Sequence, residues 1–434
     1  MFARRMLIAM MACCLGDVCL GGCEKTDHET IDKWSHTAQG PAKLQKALVD
    51  DALPAELSAH AAANLVRRGD DQVVYAAFSN MAPARRADVV AKLSPRLWEI
   101  ARVEAERDLP GAPQISAKDA LVRVRKWADE PSRQALDSYL IDWYCVASYE
   151  DRAKGGANLG AAVMRLVGPA AAPKLVSVAN GVIAAPGQGK VKNRIGDELL
   201  LGLAATGSPD AVAWVLDAVR LDRGDQTLPV RAMSALFKAY IDPDGLFAVS
   251  PPEALVPHLT AIVEIAKDDA QNVRASNDAV ALIRAVGPPR CLAPLLGMIG
   301  APHRNAEFKL VAANNALKCG GAAAILDVVK ALPDVGAYTE AQVAGIAHAI
   351  SDLAPRDRAL EAARTLLTDR ATVAKWVGME SLAAMKATAD APAIAGLAHH
   401  RERLIGFWGE QGQGKVEPTL GQRATQLSAT LGGK

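Results

Sequence analysis

The sequence predicts an all-α protein built from short helices that stack in pairs. Alanine, the strongest helix former, supplies 84 of the 434 residues, whereas aromatic residues make up only 4%. Glycine and proline interrupt the apolar helical patterns at short intervals. No run of alternating β-branched residues is long enough to indicate a sheet. We therefore expect a chain of helices without strands.

Composition and charge exclude three other classes of protein. Charged residues make up 22% of the chain and the mean hydropathy is +0.07, which fits neither a disordered chain nor a polytopic membrane protein. Lys and Arg together number 49 and Asp and Glu 48. This balance lacks the basic excess of a nucleic-acid-binding protein, so no nucleic-acid partner is expected.

Residues 1–22 have the pattern of a secretory signal. Arg4 and Arg5 form a basic start, residues 6–15 are apolar, and small residues precede Cys23. The apolar run is far shorter than the roughly 20 residues that a membrane-spanning helix needs. The segment therefore predicts export and removal rather than a membrane span.

The stretch Leu20-Gly21-Gly22-Cys23 resembles the lipobox of bacterial lipoproteins. In that family signal peptidase II cleaves before the cysteine, whose thiol carries diacylglycerol. The resemblance implies that Cys23 is the first mature residue and carries acyl chains such as palmitate. It places the protein in the bacterial cell envelope, on the outer or inner membrane and facing the periplasm or the surface. Asp17 departs from the family's apolar pattern, and an ordinary signal with a chance cysteine is the alternative.

Lipid, rather than charge, is the expected tether. Cleavage of the signal would remove Arg4, Arg5 and Asp17. The number of Lys and Arg residues then falls from 49 to 47, and the number of Asp and Glu residues from 48 to 47. A neutral mature chain has no net attraction to anionic lipid. Several acyl chains on Cys23 would anchor it stably, whereas one chain would be marginal.

The mature chain divides into four predicted regions. Residues 23–40 are polar and predict a tether or partly ordered lead-in, followed by an N-terminal helical region at 41–159. Repeats occupy 160–400, and 401–434 form a C-terminal capping segment or tail. Helical patterns cover 54–68, 84–107, 117–128, 132–147, 192–205 and 209–221.

The helix breaks recur at a regular spacing. Gly168, Gly207 and Gly287 are separated by 39 and 80 residues, which corresponds to one unit and then two. A proline follows each of these glycines within two residues, and residues 387–391 resemble a later copy of the same turn. A period of about 40 residues with two helices per unit is the signature of a repeat array.

The helices between the breaks are also alike. Val230-Arg231 and Val273-Arg274 each open a helix rich in small residues. These openings and the Gly-x-Pro turns resemble HEAT repeats over residues 160–400. The resemblance implies a HEAT/armadillo-like α-solenoid, a right-handed superhelix of helix pairs stacked into one continuous core. It also implies that Arg231 and Arg274 bond acidic residues of neighbouring repeats.

No motif predicts catalysis, a cofactor or a metal. Residues 409–416 match a phosphate loop, but Val416 replaces the Ser or Thr that would hold magnesium, and no strand pattern precedes them. This segment and the Gly-rich stretch 186–190 therefore predict flexible loops. His399 and His400 are adjacent and face different directions on a helix. Residues 242–245 predict a turn and not a calcium loop.

Three cysteines besides Cys23 remain in the mature chain. Cys145, Cys291 and Cys319 are far apart in sequence, so they do not indicate a disulfide framework. Their apolar neighbours predict buried thiols. A single bridge between Cys291 and Cys319 is the alternative, and no pattern in the sequence supports it.

Five aromatic residues crowd into a 23-residue segment of a chain that has only 19. Tyrosine and tryptophan are enriched at interface hot spots, so these are candidate partner-binding residues. The favoured alternative is a core where the N-terminal region meets the array. Arg123, Arg125 and Lys126 would form a polar rim in either case. The five residues are Trp127, Tyr139, Trp143, Tyr144 and Tyr149.

Together these features predict a non-catalytic, membrane-anchored scaffold. Its partner would be another cell-envelope protein, bound on the curved face of the solenoid. Two alternatives stay open. One is a carrier or chaperone for an apolar ligand held between helices, and the other is an enzyme on a helical-repeat scaffold.

Overall fold

The computed structural model of the chain consists of two compact units, Met1–Leu159 and Gly160–Lys434. Within the described residues the secondary structure is helical, without strands, apart from one isolated bridge between Arg403 and Thr419. The all-α prediction is therefore confirmed. The structure describes residues 25–103, 109–185, 195–221, 226–242, 245, 247–249, 252–301, 305–333, 339–404 and 418–432.

The first unit contains eight α-helices among its described residues. They are α1 (His28–Ser35), α2 (Gly40–Val49), α3 (Ala55–Arg68), α4 (Asp71–Asn80), α5 (Pro83–Ala101), α6 (Ala112–Val124), α7 (Glu130–Tyr144) and α8 (Tyr149–Arg152). Helix α3 is the centre of this unit, because α1, α2, α4, α5 and α6 all pack against it. Nine successive residues of α3, from Ser58 to Val66, are buried.

The stretch predicted as a tether differs in the structure, since much of it folds as α1. Asp27 caps the helix by accepting a hydrogen bond from the Thr30 backbone N–H. Ile31 and Trp34 lie three residues apart, face the same side and are buried, and α1 packs against α3. Because most residues of this segment are polar, its composition gives no signal that Ile31 and Trp34 are buried.

Polar contacts hold α1 to α3 beside this apolar contact. His28 Nδ1 lies 2.7 Å from His60 Nδ1, and His60 Nε2 lies 2.7 Å from Asp32 Oδ1. Asn64 donates to the same Asp32 oxygen over 3.1 Å. Burial lowers the pKa of His60, and the positive charge of Arg96 on α5 adds to that effect, while Asp32 opposes it.

The second unit contains fifteen α-helices among its described residues. They are α9 (Gly160–Val167), α10 (Ala172–Ala184), α11 (Asp197–Ala205), α12 (Pro209–Ala218), α13 (Thr227–Tyr240), α14 (Leu259–Lys267), α15 (Val273–Ala285), α16 (Leu292–Ile299), α17 (Ala306–Gly320), α18 (Ile325–Ala331), α19 (Glu340–Ser351), α20 (Arg356–Leu367), α21 (Thr372–Ala384), α22 (Ala391–Ala395) and α23 (Leu420–Leu431).

These helices form two rows. Each odd-numbered helix from α9 to α23 packs on the next odd-numbered one, and we call this the odd row. The even-numbered helices α10 to α22 form the even row. Each of them packs against the odd-row helix that follows it, except α18, which packs against α17 and α21. No pair buries its apolar face alone, so stacking builds the core. The unit is an α-solenoid, as the repeat spacing predicts.

The predicted repeat boundaries are turns of one backbone type. Gly168, Gly207 and Gly287 have φ values of +77°, +66° and +79°. This left-handed conformation ends a helix and is costly for any residue with a Cβ atom. Lys386 adopts it with φ +53° at the later copy, where no glycine is present. The recurrence in the sequence therefore reflects one repeated turn.

The segment after residue 400 continues the array. Helix α23 begins with a capping box of Thr419 and Gln422, and it packs against α21 and α22. Arg423 forms a bidentate pair with Glu380 of α21, with distances of 2.7 and 3.0 Å. Leu420 and Ala424 are buried. The described part of this segment is thus a final packed helix.

Two cysteines predicted as buried thiols form a disulfide instead. Cys291 at the start of α16 is bonded to Cys319 at the end of α17, with 6.4 Å between their Cα atoms. The two helices are paired antiparallel, so the start of one lies beside the end of the other. The 28-residue separation in sequence conceals this proximity. Cys145 is a buried thiol.

One described stretch, Gly160–Ala184, is long and apolar enough to cross a membrane by length and composition. It comprises α9, a 3-10 turn and α10. Core helices meet the same criterion, and α9 packs against α11.

Acidification is expected to loosen α1 from α3. The His28–His60 contact requires one Nδ1 to be unprotonated, and the lowered pKa of His60 means that the docked state disfavours its proton. Docking is therefore strongest above the ordinary histidine pKa of about 6.5 and is lost as the pH falls. Hydrogen exchange of residues 28–35, corrected for intrinsic rates, should be faster at pH 5.5 than at pH 7.5. His60→Gln should remove most of this dependence; an unchanged dependence would contradict the assignment.

Reduction of the disulfide is expected to destabilise the second unit. A disulfide that closes a loop of this length lowers the conformational entropy of the unfolded chain. In the chain-entropy model this stabilises the folded state by about 3–4 kcal/mol. Thermal unfolding followed by circular dichroism should show a lower Tm with reductant. The Cys291→Ser/Cys319→Ser variant should melt at the lower temperature in both conditions. Equal melting of the oxidised and reduced wild-type chain would refute the prediction.

Candidate functional site

Three of the five aromatic candidates are core residues of the first unit. Trp143, Tyr144 and Tyr149 are at most 1% exposed. The Trp143 and Tyr144 rings pack edge to face with centroids 4.6 Å apart. Trp143 Nε1 donates to the Ala101 carbonyl over 3.0 Å. Because these side chains are buried within the first unit, a partner cannot reach them in the folded state, and they are core residues of that unit.

The other two aromatic candidates are half-buried. Trp127 packs edge-on against Phe78 at 5.5 Å, and Tyr139 stacks on Trp98 at 5.2 Å with nearly parallel planes. Each therefore has an aromatic neighbour within the unit. Trp127 and Tyr139 retain exposed area, and they stay candidates for contact with a partner.

The predicted polar rim largely stabilises the unit itself. Arg125 forms a bidentate pair with Asp137 at 2.5 and 2.9 Å. Arg123 lies over the Tyr75 ring at 4.2 Å, and Lys126 lies over Trp127 at 4.3 Å. These cations contact aromatic faces, where the ring quadrupole attracts them.

A fully buried lysine explains why the aromatic residues cluster. Lys118 on α6 has no exposed side-chain area. Its Nζ lies 2.5 Å from Asp119 Oδ1 and donates to the Gly155 and Asn158 carbonyls at 2.8 and 3.2 Å. The same Nζ lies 5.3 Å from the centroid of Trp143. Burial lowers the pKa of Lys118, whereas the hydrogen bond to Asp119 raises it. The network fastens the segment after α8 to α6.

Several sequence predictions concern residues outside the described part of the chain. Cys23 and the signal segment lie there, as do residues 409–416 and 186–190. Among the described residues no group of three metal-binding side chains lies close enough together to hold an ion. His399 and His400 contact each other with ring centroids 4.5 Å apart.

The odd row of the second unit has a polar groove across α11, α13 and α15. Arg231 on α13 donates to Asp197 on α11 over 2.5 Å and to the Ile195 carbonyl over 2.6 Å. This pair joins neighbouring repeats, which confirms the contact implied for Arg231. Arg274 forms no salt bridge among the described residues, so the corresponding expectation is not met. The side chain of Arg274 lines the groove instead.

The groove is open and mixed in polarity. Its volume is about 290 Å³, and it runs across the exposed faces of three successive odd-row helices. Its lining residues are Asp197, Glu198, Leu201, Val230, Arg231, Ser234, Ala235, Lys238 and Arg274. Since Asp197 is occupied by Arg231, the groove presents two further cations against one further carboxylate.

Three buried side-chain oxygen atoms on α15 and α17 have no hydrogen-bond partner among the described residues. They are Asn277 Oδ1 and Asp278 Oδ2 on α15, and Asn314 Oδ1 on α17. Native proteins satisfy the great majority of buried polar atoms, so each exception needs an explanation. Burial raises the pKa of Asp278 to about 6, while the Arg274 charge opposes the rise.

Three exposed cations stand on successive odd-row helices. They are Lys238 on α13, Arg274 on α15 and Lys318 on α17, and none of them forms a salt bridge among the described residues. Arg274 lies one turn before Asp278, and its charge acts on that carboxyl.

The motif analysis missed these acceptors, although a signal is present. Asn277-Asp278-Ala279 and Asn314-Asn315-Ala316 occupy the middle of α15 and α17. Asparagine and aspartate disfavour helix interiors because their side chains compete with the backbone. Two such pairs in the middle of neighbouring helices are therefore the sequence signal for these buried polar side chains.

Comparison with known proteins adds little to this description. No family model matches the chain, and no curated protein matches it either. A structure of human deoxyhypusine hydroxylase in complex with glycerol is 11% identical, with 79% of this chain and 96% of that chain covered and a TM-score of 0.21. An engineered protein is 12% identical over 80% of this chain and 96% of its own, with a TM-score of 0.14. Likenesses this low carry no argument about function.

Removal of the buried lysine is expected to destabilise the first unit. Lys118→Met leaves the partly buried Asp119 without its cation and removes the donor to the Gly155 carbonyl, whereas the Asn158 carbonyl keeps its bond from the Tyr144 hydroxyl. Breaking a buried pair on one side costs about 3–5 kcal/mol. Urea unfolding followed by tryptophan fluorescence measures the change. Lys126→Met is the matched control, because Lys126 is exposed and its loss should cost less than about 0.5 kcal/mol. Equal effects would refute the network.

Proposed function

We propose that the chain is a non-catalytic, membrane-anchored scaffold that binds a protein partner on the odd row of its second unit. The observation that carries this proposal is the open groove across α11, α13 and α15, where the exposed cations Lys238 and Arg274 lie beside the Arg231–Asp197 pair. Acidic side chains of a partner would pair with these two cations.

Two features support an exported, lipid-anchored protein. The lipobox-like stretch ends at Cys23, and the disulfide between Cys291 and Cys319 is typical of an oxidising compartment. Helix α1 starts five residues after Cys23 and is docked on α3. The chain between the lipid and the first unit is therefore short, which would keep that unit close to the membrane surface.

The carrier alternative has less support. An apolar ligand needs a concave site lined mostly by hydrophobic and aromatic side chains. The groove and two further cavities among the described residues have volumes of about 270 to 310 Å³, and no aromatic side chain lines any of them.

Removal of the lipid attachment site tests the anchor. Cys23→Ala should abolish incorporation of labelled palmitate and move the protein from the membrane fraction to the soluble fraction. Cys145→Ala is the control, since Cys145 is a buried thiol of the first unit and is expected to leave both readouts unchanged. Retention of the lipid label in Cys23→Ala would refute lipidation at this residue.

Site-specific photocrosslinking in native membranes tests the binding face. A crosslinking residue at Ser234 or Asn315 on the odd row should capture a discrete protein. The same residue at Lys330, which is exposed on α18 of the even row, should capture little. Mass spectrometry of the adduct would identify the partner. Equal or absent capture at all three positions would refute an odd-row binding face.

A further inference from the structure

Two histidines of the first unit present a ring nitrogen to each other between α1 and α3. His28 Nδ1 lies 2.7 Å from His60 Nδ1, and the ring centroids are 4.9 Å apart. His60 is buried, whereas His28 is exposed at the start of α1. Imidazole nitrogen is the commonest protein ligand of divalent transition metals, so this pair is a candidate donor set at the edge of solvent.

The Asp32 carboxylate fixes the tautomer of His60. An ionised carboxylate only accepts, so His60 Nε2 carries the proton and donates to Asp32 Oδ1 over 2.7 Å. Asn64 donates to the same oxygen over 3.1 Å and holds the carboxylate in place. The neutral His60 ring therefore directs the lone pair of its Nδ1 toward His28. Metal-bound histidines have this arrangement, in which the second ring nitrogen donates to a carboxylate.

The charges around the pair do not exclude a cation. Arg67 acts on Asp32, and Arg96 on α5 acts on His60. The guanidinium of Arg96 is paired with Glu56 over 2.5 Å, and Glu56 lies one turn before His60 on α3. Two carboxylates therefore offset the two arginines, so a divalent ion would meet no net local repulsion.

A small movement of one ring would let both nitrogens bind the same ion. Two nitrogens bound tetrahedrally to zinc at about 2.0–2.1 Å lie about 3.3 Å apart, against the observed 2.7 Å. The exposed His28 ring can turn outward to widen the gap, whereas Asp32 holds His60. Among the described residues no third close ligand completes the set, so water would fill the remaining positions and the ion would exchange readily.

We propose that His28 and His60 bind a divalent transition-metal ion, with Asp32 as the positioning residue that orients His60. The ion joins α1 to α3 beside the buried Ile31 and Trp34. Because α1 is the first described helix after Cys23, occupancy of the site sets how firmly the start of the chain is held to the first unit. The site goes beyond the proposed function, which concerns the groove of the second unit.

Zinc is the probe, and hydrogen exchange of residues 28–35 in the full chain is the readout. This readout reports α1 whatever other groups of the chain bind zinc. If α1 opens only after the ion leaves, exchange slows by the factor 1 + [Zn²⁺]/Kd. We expect exchange at pH 7.5 to be at least about tenfold slower with about 1 mM Zn²⁺ than with EDTA.

Two histidine variants locate the ion. His28→Gln should abolish the effect of Zn²⁺, yet α1 should stay docked in EDTA because its apolar contact with α3 is intact. His36→Gln is the matched control, since His36 is an exposed histidine at the other end of the same helix. This control should respond to Zn²⁺ like the wild type.

A variant of Asp32 separates positioning of the metal ligand from stability. Asp32→Asn keeps the shape of the side chain and removes its charge. Loss of such a carboxylate partner weakens metal binding about 10- to 100-fold, so the Zn²⁺ concentration needed for the same slowing should rise by that factor. A merely structural role would change exchange in EDTA and leave this concentration dependence as in the wild type.

Two results would overturn the proposal. One is exchange of residues 28–35 that Zn²⁺ does not slow in the wild type. The other is equal slowing in the wild type and His28→Gln, which would place the ion elsewhere. Neither result bears on the scaffold function, because crosslinking at Ser234 and Asn315 tests that function separately.

Discussion

The close approach of neighbouring odd-row helices is the constraint on which the second unit depends. Alanine permits it: Ala232, Ala235 and Ala239 on α13 are buried, as are Ala275 and Ala279 on α15. Gly378 on α21 permits an equally close approach to the even-row helix α20, because an added Cβ would lie 2.9 Å from the Ala363 carbonyl oxygen. Small faces let helices approach until backbones nearly touch, and the core then needs few aromatic residues.

The same packing decides where polar side chains can go. Once small residues occupy both flanks of an odd-row helix, only the face away from the even row is left for larger polar groups. Asn277 and Asp278 lie at the edge of that face, close enough to the packed flank for one oxygen of each to be buried. The stacking that stabilises the solenoid therefore also creates its unsatisfied acceptors.

The sequence predicts features that depend on neighbours in the chain, and it misses those that depend on tertiary contacts. Helix α3 and the turns at Gly207 and Gly287 follow from local patterns of apolar spacing and glycine. The Cys291–Cys319 bond and the docking of α1 do not, because each joins residues about thirty positions apart. The binding face lies between these cases. The repeat pattern predicts that Arg231 bonds a neighbouring repeat. That Asn314 Oδ1 has no hydrogen-bond partner can be seen only when the residues packed around it are known.

Membrane attachment and groove recognition would divide the work of binding. A neutral chain with lipid on one residue would gain its location from the lipid alone, and confinement beside other envelope proteins would raise their effective concentration at the groove. The exposed cations Lys238 and Arg274 of the groove would then discriminate by charge, since a partner that brings like charges to them would bind at a cost. Tethering then supplies the encounter and the groove supplies the selection, so weak individual contacts suffice for specific binding.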